Sequence, residues 1–378
     1  MNKSWLSLSL FLMLLPALVR GQLENSSFYD QYGITDVDSA SIKFGLEVFG
    51  YLRNNEFRED PVPGYTLFGY QFRPYFSYFP TGRIRLDAGG FFQKDFGEEN
   101  FTDIRPLVTL RYTVNNFSMI FGTLEGAMSH RLIEPLYNFE NVIGRRIEDG
   151  LQLKYVSNKV FFDTWIEWIN MIDFGEDALE EFNYGISLNV CLFESSAFIL
   201  DLPVQLLANH RGGEIDVSTE PANTILNGAV GLGLEFPFDD NGLLKSVRFD
   251  GYYGIYSSSD DPGNLPFMDG DSWYMNLTGK SDWFDVMFSY WHGNQFYAPF
   301  GGPLYQSIFF IDENTPETQD QRDLLFLRLL FEHDLSGAVN LAFRFEPVYD
   351  IGNGQFDHSE GLYLRYRTDF LLNRKRKL

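Results

Sequence analysis

The 378-residue sequence contains a single cysteine, Cys191, so no internal disulfide can stabilise the fold. Basic residues are also scarce, since 29 Lys and Arg stand against 52 Asp and Glu, for a formal net charge of -23. Binding nucleic acid through its phosphates needs a basic surface, and this composition excludes a broad one. No apolar run after the N-terminal region reaches the ~18 residues of a membrane-spanning helix, which excludes a helical membrane protein.

Residues 1–21 have the pattern of a cleavable secretory signal peptide. Lys3 supplies the positive charge, residues 5–19 form the apolar core, and residues 19–21 fit the cleavage site. The core is too short for a stop-transfer helix, and no cysteine follows it for lipid attachment. We therefore predict an exported protein in which residues 22–40 form a periplasmic N-terminal segment.

The rest of the chain alternates between apolar and polar side chains, with interruptions at turn residues. For example, Leu341 and Phe343 alternate with Asn340 and Arg344. One apolar and one polar face on the same segment are typical of half-exposed antiparallel strands. We predict sixteen strands, most of them 9–13 residues long, the length that a tilted strand needs to cross a bilayer. The predicted strands are 41–53, 66–78, 83–93, 104–113, 117–125, 149–156, 160–169, 182–192, 197–208, 225–236, 246–257, 271–279, 283–292, 322–333, 338–348 and 360–371.

The connections between these strands alternate in length. Short turns such as 80–82 and 114–116 follow even-numbered strands, and most connections after odd-numbered strands are longer, such as 293–321. Short turns on one rim and long loops on the other are typical of outer-membrane barrels. We predict an all-β fold, a transmembrane antiparallel β-barrel of about 16 strands at 41–371, with short periplasmic turns and long outer loops. A basic C-terminal tail follows at 372–378.

In strand count, turn parity and loop position, residues 41–371 resemble the Gram-negative outer-membrane porin-like family of sixteen-stranded β-barrels. The resemblance implies an outer-membrane location in a Gram-negative bacterium, contact with outer-membrane lipid, and a third outer loop that folds inward to narrow the channel. In this chain the third loop is 125–148. The sequence does not decide whether the protein forms homo-oligomers or associates with other envelope proteins. The expected constriction-loop residues are Glu125, His130, Arg131, Glu134, Arg145, Arg146 and Glu148.

Basic residues are concentrated on the polar faces of the first four and last three predicted strands. If the last strand pairs with the first, these residues form one pore-lining basic wall, interspersed with carboxylates such as Glu47 and Glu346. Such a wall could orient anionic solutes, or it could hold neighbouring strands together through ion pairs. The residues of the basic wall are Lys43, Arg53, Arg73, Arg83, Arg85, Arg105, Arg111, Arg328, Arg344, Arg365 and Arg367.

The sequence contains no convincing catalytic pattern. The five histidines lie in different segments without metal-ligand spacing. Ser129-His130 is the only adjacent Ser–His pair in that order, and adjacency in a loop is weak evidence of a nucleophile and its base. We therefore predict no catalytic residues, no metal, no cofactor and no enzymatic activity.

The function that these features favour is a porin-like channel for passive or weakly selective diffusion of small polar or anionic solutes, narrowed by loop 125–148. The alternative is a non-transport accessory or structural barrel whose acidic, aromatic outer loops bind partner proteins or glycans. Aromatic residues in and near loop 293–321 favour the alternative, among them Trp291, Phe296, Tyr297 and Tyr305. A secreted soluble β-protein is the third hypothesis, but it does not account for the turn parity.

Overall fold

The computed structural model describes residues 25–30, 32–35, 38–58, 62–213, 217–218, 221–238, 242–259, 265–310 and 316–374. The predicted signal peptide and residues 375–378 of the predicted tail lie outside the described residues.

Within the described ranges, sixteen antiparallel strands form one closed barrel, which confirms the predicted fold. The barrel strands are β1 (Ser41–Glu56), β2 (Tyr65–Thr81), β3 (Ile84–Asp95), β4 (Asp103–Val114), β5 (Phe117–Thr123), β6 (Asp149–Val156), β7 (Val160–Asn170), β8 (Glu181–Glu194), β9 (Ile199–Arg211), β10 (Asn223–Pro237), β11 (Ser246–Ser258), β12 (Asp269–Lys280), β13 (Phe284–Asn294), β16 (Gln321–Ser336), β17 (Val339–Asp350) and β18 (Gln355–Arg374). Strands β14 (Ile308–Phe309) and β15 (Glu317–Thr318) form a separate two-stranded sheet that is not part of the barrel sheet. Short 3-10 helices occur at Ser26–Phe28, Ala127–His130 and Pro303–Tyr305, and the one-turn helix α1 at Asn141–Gly144.

Strands β1 and β18 close the barrel, with Phe44 opposite Phe370. The last strand continues to Arg374, so residues 372–374, expected in the tail, belong to the barrel. They are paired because β1 already begins at Ser41, which lies opposite Arg374. The short-turn rim therefore carries the start of β1, the end of β18 and turns such as 82–83, and the opposite long-loop rim carries the longer connections.

Side chains alternate across the barrel wall as the sequence pattern predicts. Phe343 and Leu364 point outward and are 38% and 46% exposed, whereas Ala342 and Arg344 point inward and are fully buried. The outward face is therefore apolar and the inward face mixed. Among the described residues, no helix is both long and apolar enough to cross a membrane.

Three segments of the described chain fill the inside of the barrel. They are the N-terminal residues 25–30 with residue 32, the loop 124–148 and residues 296–309. Residues 25–30 of the predicted periplasmic segment thus lie in the lumen. The reason is visible at Phe28, whose ring packs edge-on against Tyr363 of β18 and Phe139 of the inward loop, with centroid distances of 5.4 and 5.0 Å.

Candidate functional site

The loop between β5 and β6 is held inside the barrel by polar contacts to the wall and to the other inward loop. The backbone N–H of Ile133 donates to the side-chain oxygen of Gln205 on β9 at 2.9 Å. The backbone N–H of Gly302, from loop 295–320, donates to the carbonyl of Glu134 at 2.9 Å. Apolar side chains of both loops, including Leu136 and Phe296, are fully buried. The two loops therefore form one packed body in the lumen.

A buried ion-pair network links this body to the last barrel strands. Glu134 of the inward loop contacts Arg328 of β16 at 2.7 Å and Arg344 of β17 at 3.0 Å. Glu346 of β17 contacts the same two arginines at 3.0 and 2.7 Å, and Arg53 of β1 at 2.8 Å. Each guanidinium in this group is thus paired with at least one carboxylate. Charge-assisted hydrogen bonds therefore hold the inward loop against the barrel wall.

Arginines of the first strands are paired in the same way. Arg111 and Lys154 contact Glu125 of the inward loop at 2.8 and 2.7 Å. Burial by itself raises the pKa of Glu125, but these two cations outweigh it and hold the pKa at about 2. Arg73 contacts Asp30 of the N-terminal segment at 3.2 Å. These contacts support the structural role that the sequence left open for the basic wall.

Other predicted wall residues have less central positions. Lys43 pairs with Asp38 at 2.6 Å, near the short-turn rim. Arg83 does not line the lumen, because it lies exposed in the turn between β2 and β3. Arg105 is exposed near the beginning of β4, at the long-loop rim, where it pairs with Asp103 at 2.9 Å. The remaining wall residues pair with barrel carboxylates: Arg85 with Asp87, Arg365 with Glu332 and Arg367 with Glu47.

The other basic residues of the inward loop also contact rings and carboxylates. Arg131 lies over the ring of Phe161 at 3.9 Å. Arg145 contacts Glu167 at 3.0 Å, and Arg146 contacts Asp30 at 2.7 Å. The arrangement ties the loop to the wall and to the N-terminal segment.

His130 lies at the centre of this interior but lacks the geometry of a catalytic base. Its ring is fully buried, stacked on Trp165 at 3.5 Å, and its two nitrogens contact Asp163 at 2.9 Å and Glu148 at 2.8 Å. Burial lowers its pKa, but the two carboxylates outweigh burial and raise the pKa to about 9. The imidazole is therefore charged at neutral pH and has no free nitrogen for the neighbouring Ser129.

Ser129 is itself inaccessible. Its side chain is buried, and its hydroxyl oxygen accepts a hydrogen bond from the backbone N–H of Asp30 at 2.8 Å. The Ser129-His130 pair is therefore part of the packed interior. Its contacts fix the start of the inward loop against the N-terminal segment.

A different histidine faces outward, near the long-loop rim. His292 lies two residues before the end of β13, and its Nδ1 contacts Asp323 Oδ1 of β16 at 2.8 Å. Tyr290, also on the outward face of β13, donates its hydroxyl to the same oxygen at 2.6 Å. The side chains of His292 and Asp323 are 30% and 33% exposed. This His–Asp pair is accessible from outside the barrel, and the sequence analysis did not identify it.

An apolar groove begins beside this pair and continues along the outward face of the barrel. Its volume is about 680 Å³, and it crosses strands β11 to β13 and β16 to β18. Tyr290 and Leu325, neighbours of His292 and Asp323, line one part of it. The other outward-facing lining residues include Met275, Leu277, Phe288, Leu327, Phe345, Tyr349 and Phe356.

One signal in the sequence could have revealed the pair. The thirteenth predicted strand ends at residue 292 and the fourteenth begins at residue 322, so their ends meet if the two strands are neighbours. A loop of almost thirty predicted residues separates them, and the structure is needed to show that His292 and Asp323 are directly opposite.

The described residues contain no group of three or more His, Cys, Asp or Glu side chains arranged to hold a metal ion.

Comparisons with known proteins relate the chain to outer-membrane barrels. A loop L8 deletion mutant of OmpT, an outer membrane protein of Vibrio cholerae, superposes with a TM-score of 0.51 at 12% identity, covering 87% of this chain and 99% of that chain. OprD, an outer membrane protein of Pseudomonas aeruginosa, gives 0.51 at 10% identity, covering 90% and 98%. At these identities the likeness shows the fold alone. No curated protein matches by sequence.

The closed sixteen-stranded barrel and these neighbours confirm the predicted fold, that of a porin-like outer-membrane β-barrel. The predicted location in the outer membrane of a Gram-negative bacterium, in contact with its lipid, agrees with this fold. The short-turn rim is the one predicted to face the periplasm.

A protein-family model described as lipid A 3'-O-deacylase-type matches residues 34–375. This match overturns our prediction that the protein has no enzymatic activity, because the family is described by an enzymatic reaction. The sequence contains no local pattern that indicates this activity, and the exposed His–Asp pair is assembled from two strands.

Proposed function

Because the chain belongs to the lipid A 3'-O-deacylase-type family, we propose that it is an outer-membrane esterase that hydrolyses an acyl ester of lipid A, the 3'-O-linked chain. The observation that carries the proposal is the accessible pair of His292 and Asp323 at the head of an apolar groove on the outward face. Such a site meets lipid from the side of the barrel, without passage through the lumen.

The hydrogen bonds of Asp323 prepare His292 to act as a base. An ionised carboxylate only accepts hydrogen bonds, so Nδ1 of His292 carries the proton that it donates to Asp323. The lone pair of the neutral imidazole is then on Nε2, which has no hydrogen-bond partner in the described part of the chain. Tyr290 donates to the same carboxylate and fixes its position. This is the orientation required for proton abstraction from a water molecule.

The groove supplies a place for the acyl chain next to the base. Its outward lining is almost entirely apolar, and it lies on the bilayer side of His292. An acyl chain buried there contributes ~0.8 kcal/mol per methylene relative to water, although lipid offers a comparable environment. The groove therefore orients the chain more than it increases affinity, and it sets the ester near the long-loop rim.

In the proposed reaction, Nε2 of His292 takes a proton from water as the water oxygen attacks the ester carbonyl carbon. The tetrahedral intermediate collapses by breaking the bond between that carbon and the ester oxygen. The imidazolium returns its proton to the departing alkoxide of the sugar. One ester and one water thus give one fatty acid and one alcohol, and His292 is regenerated.

The test is fatty-acid release from lipid A by the purified, detergent-solubilised protein, followed by mass spectrometry. His292→Gln should lower turnover about 10²- to 10⁴-fold, the usual contribution of a general base. Asp323→Asn should lower it too, because Asn no longer fixes the tautomer of the imidazole.

His210→Gln is the matched control. His210 also faces outward near the long-loop rim, but its Nδ1 contacts the hydroxyl of Thr224 at 2.8 Å in place of a carboxylate. Its loss should leave turnover unchanged. Full activity in His292→Gln, or loss of activity in Ser129→Ala, would place the reaction elsewhere in the barrel.

We propose passage of small polar or anionic solutes, with loop 125–148 as the constriction, as a second candidate function. The observation that favours it is a polar cavity of about 540 Å³ inside the barrel, lined by both acidic and basic side chains. Deleting residues 129–143 should raise single-channel conductance in planar bilayers. Equal conductance of the deletion variant and the wild type would remove this candidate.

A further inference from the structure

The polar cavity inside the barrel reaches the short-turn rim, which is predicted to face the periplasm. It is lined by the short turn between β16 and β17, including Gly337, and by the N-terminal residues Ser26 and Ser27. The inward loop contributes Arg146, next to Asp30. The volume is about 540 Å³, so the space accommodates a hydrated ion or a small organic molecule.

Several N–H groups of the arginines that line the cavity have no acceptor. They are Nε of Arg73, Nε and Nη1 of Arg146, and Nε of Arg365, all without a hydrogen-bond partner within the described ranges. The hydroxyl of Ser27 is also buried without a partner. Leaving a buried donor unsatisfied costs about 1–3 kcal/mol. Residues around this cavity thus carry an excess of donors.

Three of the carboxylates that line the cavity are already engaged by other nitrogens of the same arginines, and the fourth, Asp334, accepts a hydrogen bond from Asn340 at 2.8 Å. Asp30 contacts Arg73 at 3.2 Å and Arg146 at 2.7 Å. Glu47 contacts Arg73 at 3.5 Å, and Glu332 contacts Arg365 at 3.4 Å. These anions hold the guanidinium groups together without satisfying all of their donors. An additional acceptor is what the site lacks.

We propose that this cavity is a periplasm-facing binding site for a small oxyanion of the phosphate type. A guanidinium is planar, permanently charged and suited to two parallel hydrogen bonds to a phosphate oxygen pair. A bound phosphate would let the side chains of Arg146 and Arg365 turn their free N–H groups toward its oxygens. The same chemistry is presented by the free ion and by the head group of a phospholipid.

The experiment is isothermal titration of the refolded, detergent-solubilised protein with inorganic phosphate at constant ionic strength. Wild type should bind in a saturable one-to-one manner. Arg146→Gln and Arg365→Gln should each weaken binding at least tenfold. A parallel titration with glycerol phosphate identifies the source: binding of both probes supports a head-group site, and binding of phosphate alone supports a site for the free ion.

Lys245→Gln is the matched control, because it removes one positive charge near the same rim from a residue that does not line the cavity. Its affinity for phosphate should equal that of the wild type. Arg365→Lys, which keeps the charge and loses the planar fork, tests the same claim if a glutamine variant fails to fold. Absence of saturable binding to wild type, or equal weakening by Lys245→Gln, would overturn the proposal.

Discussion

At the residue scale, the interior of the barrel depends on charges that are paired one by one. His130 shows this most clearly, since an isolated imidazole at this depth would be neutral. Glu148 and Asp163 on its two sides keep it charged, and the hydroxyl of Tyr137 donates to Glu148 from the same loop at 2.6 Å. The charged His130, in the first part of the inward loop, thus contacts Glu148 at the end of the same loop.

The raised pKa of His130 predicts that the folded barrel is less stable in alkaline solution. A group whose pKa rises on folding contributes stability that is complete below its unfolded value, near 6.5, and lost as the pH rises through about 9. The denaturant midpoint in detergent should therefore fall between pH 7 and pH 10. His130→Gln should flatten this part of the pH dependence, and an unchanged slope in the variant would assign it to other groups.

Glu134 is the residue whose loss should cost the interior most. It pairs with both Arg328 and Arg344, so Glu134→Ala leaves two buried guanidinium groups with fewer partners. Removing one member of a buried ion pair typically costs about 3–5 kcal/mol. Equilibrium unfolding in urea measures the change. Glu98→Ala, at an exposed position of an outer loop, is the control and should unfold like the wild type.

At the element scale, the strands could be predicted from the sequence, but the segments that fill the interior of the barrel could not. Alternating side chains such as Ala342, Phe343 and Arg344 identify a strand and its two faces, because a strand turns successive side chains to opposite sides. Residues 25–30 carry no such period, so nothing in the sequence places Phe28 between β18 and the inward loop. The alternation also shows that most wall arginines point inward, but not that loop carboxylates meet them.

The candidate site was missed for a related reason. The distance between His292 and Asp323 depends on the register of β13 against β16, which a local pattern does not define. A catalytic pair assembled across two strands leaves no spacing signature in the chain.

The outward face of β18 provides a test of the wall itself. Leu364→Arg places a charge among lipid-facing side chains and should destabilise the barrel by about 2–4 kcal/mol if it lies near the bilayer midplane. Leu364→Ile keeps the face apolar and should fold normally. Heat-modifiable gel migration and urea titration in vesicles measure both. Equal stability of the two variants would mean that this face does not contact lipid.

At the scale of the whole molecule, the two proposed sites lie near different rims of the barrel. The His–Asp pair opens outward near the long-loop rim, and the polar cavity opens at the short-turn rim, which is predicted to face the periplasm, with the packed loops between them. The two proposed sites therefore meet different compartments. Variants of one should leave the other unaffected.

This topology predicts opposite accessibility of two exposed positions in intact cells. In a Cys191→Ser background, Asp177→Cys lies in the connection between β7 and β8 and should react with a membrane-impermeant maleimide. Ser196→Cys lies in the short turn between β8 and β9 and should react only after the outer membrane is permeabilised. Equal labelling of the two positions in intact cells would contradict the orientation.

The packed lumen also constrains the order of assembly. Asn25 accepts a hydrogen bond from Arg344, which lies 319 positions later in the chain, while β1 closes the wall against β18. Once that seam has formed, the N-terminal segment can enter only through an end of the barrel. A barrel sealed without it would leave Arg73 and Arg146 without the carboxylate of Asp30, a costly arrangement inside a closed wall. We therefore expect a barrel that closes without this segment to be less stable than one that contains it, so that correct filling of the lumen favours the closed state.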